Sequence, residues 1–140
     1  MHLRCVAVYN QFLGVVNRIR VLMAAKMFRV EDGKVIIMGT ECSQCQHRWF
    51  PPVSFGCERC GAYGDDLHAR DLSSTGQIYA FTTVPERDGG MYTLAQVVLD
   101  DGPAIRAIIS EPGPEKLAIG DRVEGVSDGA EQVTFRKTSP

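Results

Sequence analysis

Positive charge is what this 140-residue chain lacks as a whole: 15 Lys and Arg stand against 17 Asp and Glu, for a formal net charge of -2. A nucleic-acid backbone or an anionic membrane therefore meets no electrostatic excess to hold it. Acid, in turn, is missing from residues 1–30, which carry Arg4, Arg18, Arg20, Lys26 and Arg29 but no Asp or Glu, so residues 31–140 hold ten basic and seventeen acidic groups. A membrane-length apolar run is also lacking near the start. The uncharged stretch from Cys5 to Asn17 is well short of the roughly 20 residues that a spanning helix needs. Most of its basic residues follow it instead of preceding it, which argues against a secretory signal, while an Arg-bearing transit peptide fits the composition. The reading adopted for residues 1–27 is an N-terminal helical extension that docks on the domain or a partner, or a non-native upstream addition if the true start is Met23 or Met27.

Catalytic constellations are scarce too. No nucleophile stands in a recognisable motif with a base, no paired carboxylates form an acid-base motif, and "DGG" and "GDRVEG" are turns and not dinucleotide fingerprints. Asp65-Asp66 and Asp100-Asp101 are adjacent acids of the kind that cap turns in solvent. His2 and His68 lie outside any Cys or carboxylate cluster, and Cys5 reads as a buried or adventitious thiol. No catalytic residue is assigned. No internal repeat or low-complexity tract divides the chain.

What is present is "ECSQCQHRWFPPVSFGCERCG", residues 41–61. Cys42-x2-Cys45 and Cys57-x2-Cys60 are separated by eleven residues, and two residues between thiolates let both sulfurs face one ion from a tight knuckle. Residues 40–64 have no useful helical or strand period and are broken by Pro51, Pro52, Gly56, Gly61 and Gly64, so they need a staple. Four thiolates leave no open coordination position, which makes one structural zinc ion the expected occupant. Iron in a rubredoxin-like carrier and a redox disulfide pair are the alternatives that the same spacing allows. His47 is read as a neighbour of the ligands or a solvent-facing residue. Gly61, after the last ligand, frees the backbone to turn its amides toward sulfur. Trp49, Phe50 and Phe55 in the loop are a small core or anchors for a partner.

With 44% hydrophobic residues, a chain of this length buries one modest core plus a stapled accessory piece. "FRVEDGKVIIMG" reads as two extended pieces around an Asp32-Gly33 turn. Five β-rich runs follow, at 75–84, 92–100, 104–111, 121–127 and 131–138, with a longer connection after the third. Ile78, Ala80 and Thr82 are assigned to one face of the first run, and Tyr79, Phe81 and Thr83 to the other. The predicted fold class is mainly β: an N-terminal helix over 1–27, a rubredoxin-like zinc ribbon with its leading strands over 28–66, and a five-stranded OB-fold barrel over 67–140.

This order of parts, "CSQCQHRWFPP" and "CERCG" followed by "SSTGQIYAFTTV" and "LAIGDRVEGV", resembles the acyl-CoA-associated proteins with a rubredoxin-like zinc ribbon and an OB-fold, long catalogued as a domain of unknown function. The resemblance covers roughly residues 28–137. It implies an accessory subunit that forms a hetero-oligomer with a thiolase-like enzyme: a thiolase, a hydroxymethylglutaryl-CoA synthase, or a lipid-transfer-type aldolase that cleaves steroid side-chain acyl-CoA. Relatives also accompany hydratases or a benzoylsuccinyl-CoA thiolase, which points to lipid or aromatic degradation. By the same resemblance the metal ligands are Cys42, Cys45, Cys57 and Cys60, and acyl-CoA meets the shared interface. Where CoA touches this chain, Arg70, Arg87, Arg106 and Arg122 are the candidates for its phosphates, because guanidinium forks match phosphate oxygens.

Two rival readings make different demands. An OB-type nucleic-acid binder would stack bases on Tyr79, Phe81 and Tyr92, but residues 72–140 hold six basic and ten acidic groups, too little positive charge for counterion release to drive binding. A free-standing acyl-CoA-binding protein or enzyme would need a residue such as His68 or Asp88 to carry chemistry without a supporting constellation. The cysteine spacing, without a convincing secretory signal, favours a reducing cytoplasm.

Overall fold

A computed structural model describes residues 27–52, 55–127 and 132–139, and the predicted N-terminal helix lies outside them. Strand β1 (Phe28–Glu31) and strand β2 (Lys34–Cys42) form the expected hairpin, with Glu31 opposite Lys34. Its two-residue turn places both Asp32 (φ 50°) and Gly33 (φ 74°) in the left-handed region, as a tight hairpin with right-handed strand twist requires. β2 is the centre of the first sheet. On one edge it carries β1 and, further along, the two-residue β3 (Arg48–Trp49); on the other it pairs with β4 (Leu67–Ser73) from Ile36↔Ser73 to Cys42↔Leu67.

β4 lies in the stretch "DDLHARDLSS", where no strand was expected, because its charged residues and serines mask any alternation. Residues 67–73, assigned from sequence to the barrel side of the domain boundary, pair with β2 in the ribbon's own sheet. Gly39 is needed there for space. A Cβ at that position would lie 2.5 Å from Leu72 Cδ1 and 2.8 Å from the Trp49 carbonyl oxygen.

The five remaining strands are β5 (Thr75–Pro85), β6 (Met91–Leu99), β7 (Ala104–Glu111), β8 (Arg122–Ser127) and β9 (Val133–Lys137), in the ring order β5-β6-β7-β9-β8. The five expected strands are present, but the even closure that their count suggested is not. The β5–β6 and β6–β7 seams are long antiparallel ladders. The ring returns on itself only through three residue pairs between β5 and β8 and an irregular parallel contact of β7 with β9 at Ile109↔Phe135 and Glu111↔Arg136.

The face assignment for β5 is corrected as well. The register shifts between Ile78 and Ala80, so Tyr79 is the extra residue of a bulge and every position beyond it changes face. Phe81 therefore lies opposite buried Ala95, on the inner side with Ile78, while Ala80 lies opposite exposed Gln96. The core is continuous across the two sheets. Val35, Ile37 and Leu72 of the first sheet pack in one cluster with Ile78, Val97, Leu99, Ile109, Val123 and Phe135 of the barrel.

Candidate metal centre and barrel surface

The two Cys-x2-Cys turns have the same backbone design. In the first, the Gln46 amide donates to the Cys42 carbonyl and the Cys42 amide to the His47 carbonyl, at 2.8 and 2.9 Å. In the second, the Gly61 amide donates to the Cys57 carbonyl and the Cys57 amide to the Ala62 carbonyl, both at 2.8 Å. The residue after the second cysteine of each pair is left-handed, Gln46 at φ 59° and Gly61 at φ 78°. The glycine was legible in the sequence. Its counterpart Gln46 was not, because a glutamine gives no turn signal.

All four sulfurs lie within 4.8 Å of one another, with Cys42 Sγ to Cys60 Sγ at 3.6 Å and Cys45 Sγ to Cys57 Sγ at 3.5 Å. A tetrahedral ion with metal–sulfur bonds of about 2.3 Å sets its ligand sulfurs about 3.8 Å apart, whereas a disulfide needs about 2.05 Å. None of the four is in a disulfide, and their sulfurs lie close enough together to hold one metal ion. Their acidities differ sharply. Burial raises the Cys57 thiol, but the Cys60 and Arg59 amides and the Cys45 and Cys60 sulfurs outweigh it and bring the group down to about 6. Cys60 is relieved by the Ala62 amide, yet burial and the three other sulfurs push it up to about 12. Cys45 is also raised, against the His47 amide, by burial and by Cys57. Such a nest does not carry four negative charges unaided, and a cation bound there would supply what is missing.

The aromatic trio is divided. Trp49 is buried with Cys42 and Cys57 in a second small core, stacked on the His47 ring at 5.7 Å between centroids. His47 Nε2 makes a 2.8 Å hydrogen bond to Glu58 Oε1, tying one knuckle to the other. Phe50 is half-buried against the main core, and Phe55 is 95% exposed. The acid pairs do more than cap turns. Asp66 accepts from Gln44 Nε2 at 3.0 Å, bracing the first knuckle. Asp101 accepts from the Ser73 amide at 2.6 Å and lies 3.5 Å from Arg48, so the β6–β7 turn is fastened to β3 and β4.

The four candidate CoA arginines do not converge. Arg70 lies on β4, 3.8 Å from Glu41. Arg87 is in the β5–β6 turn, and Arg106 is on the outer side of β7. Arg122 is held by Asp100 through two hydrogen bonds of 2.6 and 2.7 Å, so its fork is already engaged. None of the described cavities is lined by more than one of the four. The stacking trio is not a single platform either, since the bulge turns Phe81 inward and leaves Tyr79 65% exposed. His68 lies opposite Glu41 on β2, and Asp88 accepts from the Gly90 amide at 2.9 Å within the β5–β6 turn. Among the described residues, no helix is long and apolar enough to cross a membrane.

Fold and site together define a class: a β-sheet bearing a four-cysteine cluster, joined to an OB-fold domain. A family model for the ChsH2 C-terminal OB-fold domain matches residues 69–128. A DUF35 domain-containing scaffold protein of Methanothermobacter thermautotrophicus is 28% identical over 95 residues, covering 64% of this chain and 70% of that one. Among solved structures, an Ltp2-ChsH2(DUF35) aldolase matches with a TM-score of 0.59 at 24% identity, over 73% of this chain and 84% of its own. A DUF35-family protein of unknown function from Sulfolobus solfataricus matches at 0.54 and 14% identity, over 74% and 76%. At those identities the two structures speak for the fold. Together these likenesses support a kinship with DUF35 proteins that carry an OB-fold.

Proposed function

We propose that this protein is a non-catalytic partner subunit of a thiolase-like or aldolase enzyme acting on acyl-CoA, and that it stabilises that enzyme and helps shape its acyl-CoA channel. The observation that carries the reading is Phe55. A side chain of that size, 95% exposed in the loop between two clamped knuckles, is a contact held ready for another surface. Two likenesses support it: one relative is named a scaffold protein, and one matching structure is an aldolase that pairs Ltp2 with ChsH2(DUF35). The absence of an acid-base or nucleophile constellation in the sequence leaves the chemistry to the partner.

In this reading Cys42, Cys45, Cys57 and Cys60 hold one structural zinc ion, and the chain functions as a ribbon, whose sheet takes in β4 beyond the boundary expected at residue 66, and a barrel that begins at β5, behind an N-terminal extension. Trp49 and Phe50 support the loop from within, while Phe55 makes the contact. CoA phosphates at the shared interface would meet Arg87, which has no ion pair among the described residues, before Arg70 or Arg122.

The test is co-expression with the thiolase-superfamily subunits encoded by the same organism, followed by size-exclusion chromatography and assay of acyl-CoA turnover. A stable hetero-complex is expected, with no turnover by this chain alone. Turnover of an acyl-CoA by the purified chain without a partner would refute the proposal.

A further inference from the structure

The outer sides of the barrel differ in how they treat charge. On β8–β9 the outward pair Glu124↔Arg136 is an ion pair at 2.8 Å, as a solvated face allows. Across β5–β6–β7 the outward rows are Ala80–Gln96–Arg106 and Thr82–Leu94–Ile108, with Gln77–Val98–Ala104 beyond them, the last ending beside Arg122 of β8, whose fork Asp100 occupies. One guanidinium is the sole charge in those rows. Among the described residues Arg106 has no ion pair or hydrogen bond, whereas Arg29, Arg48, Arg122 and Arg136 each have a carboxylate partner. The other cations without such a partner lie in or beside turns: Lys34, Arg59, Arg87 and Lys116. Arg106 alone among them sits mid-strand, at the rim of a hollow of about 200 Å³ lined with Ala80, Phe81, Thr82, Leu94, Ala95 and Gln96.

From this juxtaposition we infer that the outer β5–β6–β7 face is the second docking surface for the partner subunit, and that Arg106 receives a carboxylate from an otherwise apolar patch of that partner. The inference rests on the proposed function and adds where and by what chemistry the partner is held. Charge complementarity chooses the occupant. A single guanidinium with Gln96 opposite it and Leu94, Ile108 and Val98 around it matches one acid in a mostly apolar protein surface, where the pair is shielded from water and forms a bidentate contact. The several phosphate charges of a coenzyme or a nucleic acid would call for further cations around it, and these rows have none. The bulge at Tyr79 sits at the edge of this face and leaves that ring 65% exposed for the same contact.

The experiment uses the separately purified thiolase-superfamily subunit that forms a complex with the full wild-type chain, titrated by calorimetry at physiological salt. Arg106→Glu is expected to weaken binding at least tenfold and Arg106→Gln severalfold, with Lys34→Glu as a turn-located control that leaves affinity within twofold. Unchanged urea midpoints establish that the variants fold, and Leu94→Asp, on the same face, serves as an independent second variant with an expected loss of at least tenfold. Equal affinity for wild type and both face variants overturns this inference and leaves the partner-subunit reading standing. Failure of the wild-type chain to bind any such subunit overturns both. Binding of free CoA or single-stranded DNA that is lost in Arg106→Glu would assign the face to a phosphate ligand and overturn it too, as would wild-type self-association lost in the same variant.

Discussion

In the proposed reading, removing the metal should open the ribbon and leave the barrel folded, and the protein's single tryptophan reports which has happened. Trp49 is 9% exposed in a small core with Cys42 and Cys57, while the main core runs through residues such as Val97 and Phe135 that touch no ligand cysteine. Burying one large side chain contributes about 3 kcal/mol, against about 10–16 kcal/mol for a structural zinc site in small domains. The apolar contacts around Trp49 are therefore a minor share of what holds residues 42–66, and they cannot keep the loop ordered once the ion is gone. Chelation is expected to shift Trp49 emission to the red and to make the Cys42–Cys60 segment protease-sensitive. Most of the far-ultraviolet β signal should persist. Cys57→Ser should give the same spectrum without chelator, and Trp49→Phe should still bind the metal stoichiometrically. A stripped protein with unshifted emission and unchanged protection of that segment would refute the clamp.

Two further predictions concern the joints. Leu72→Ala, at a site 1% exposed where the first sheet meets the barrel core, should cost about 3 kcal/mol in urea unfolding with an unchanged slope, and a loss below about 1 kcal/mol would show that the sheets do not share a core. Asp100 is held at about 2 by the Arg122 guanidinium and then by the Thr75 hydroxyl, below its ordinary 3.8. Its stabilisation is thus complete above that ordinary value and disappears as pH falls toward 2. Asp100→Asn should be less stable than wild type near neutrality, with the gap closing below pH 4. A gap that widens in acid would reverse the sign of the argument.

Much of this molecule was written in local chemistry. Asp32-Gly33 specified its hairpin because that turn needs positive φ, and the cysteine spacing specified the cluster because two intervening residues set the sulfur geometry. The five barrel runs were visible through turns and β-branched residues. What escaped was non-local. β4 is a strand because β2 offers it a ladder, not because "LHARDLS" alternates. The bulge at Tyr79 is a property of the pairing with β6, and without that register Phe81 is placed on the wrong side. Asp101 looked like one half of a solvated pair, since nothing in its neighbourhood in the chain announces Arg48 or the Ser73 amide. Likewise, the four candidate arginines shared a residue type but no location.

β4 ends at Ser73 and β5 begins at Thr75, so only Ser74 separates the ribbon's sheet from the barrel. The Ser74 carbonyl accepts from the Gly125 amide of β8 at 2.8 Å, and the Ser73 hydroxyl lies 2.7 Å from that of Thr75. A crossing this short has no slack. The placing of the ribbon's sheet against the barrel is then set by that single-residue crossing, like the opening of a caliper. In the proposed reading, a partner gripped at both the knuckle loop and the outer face of β7 would present its own two contacts at that spacing, and would be selected by measurement as well as by surface chemistry.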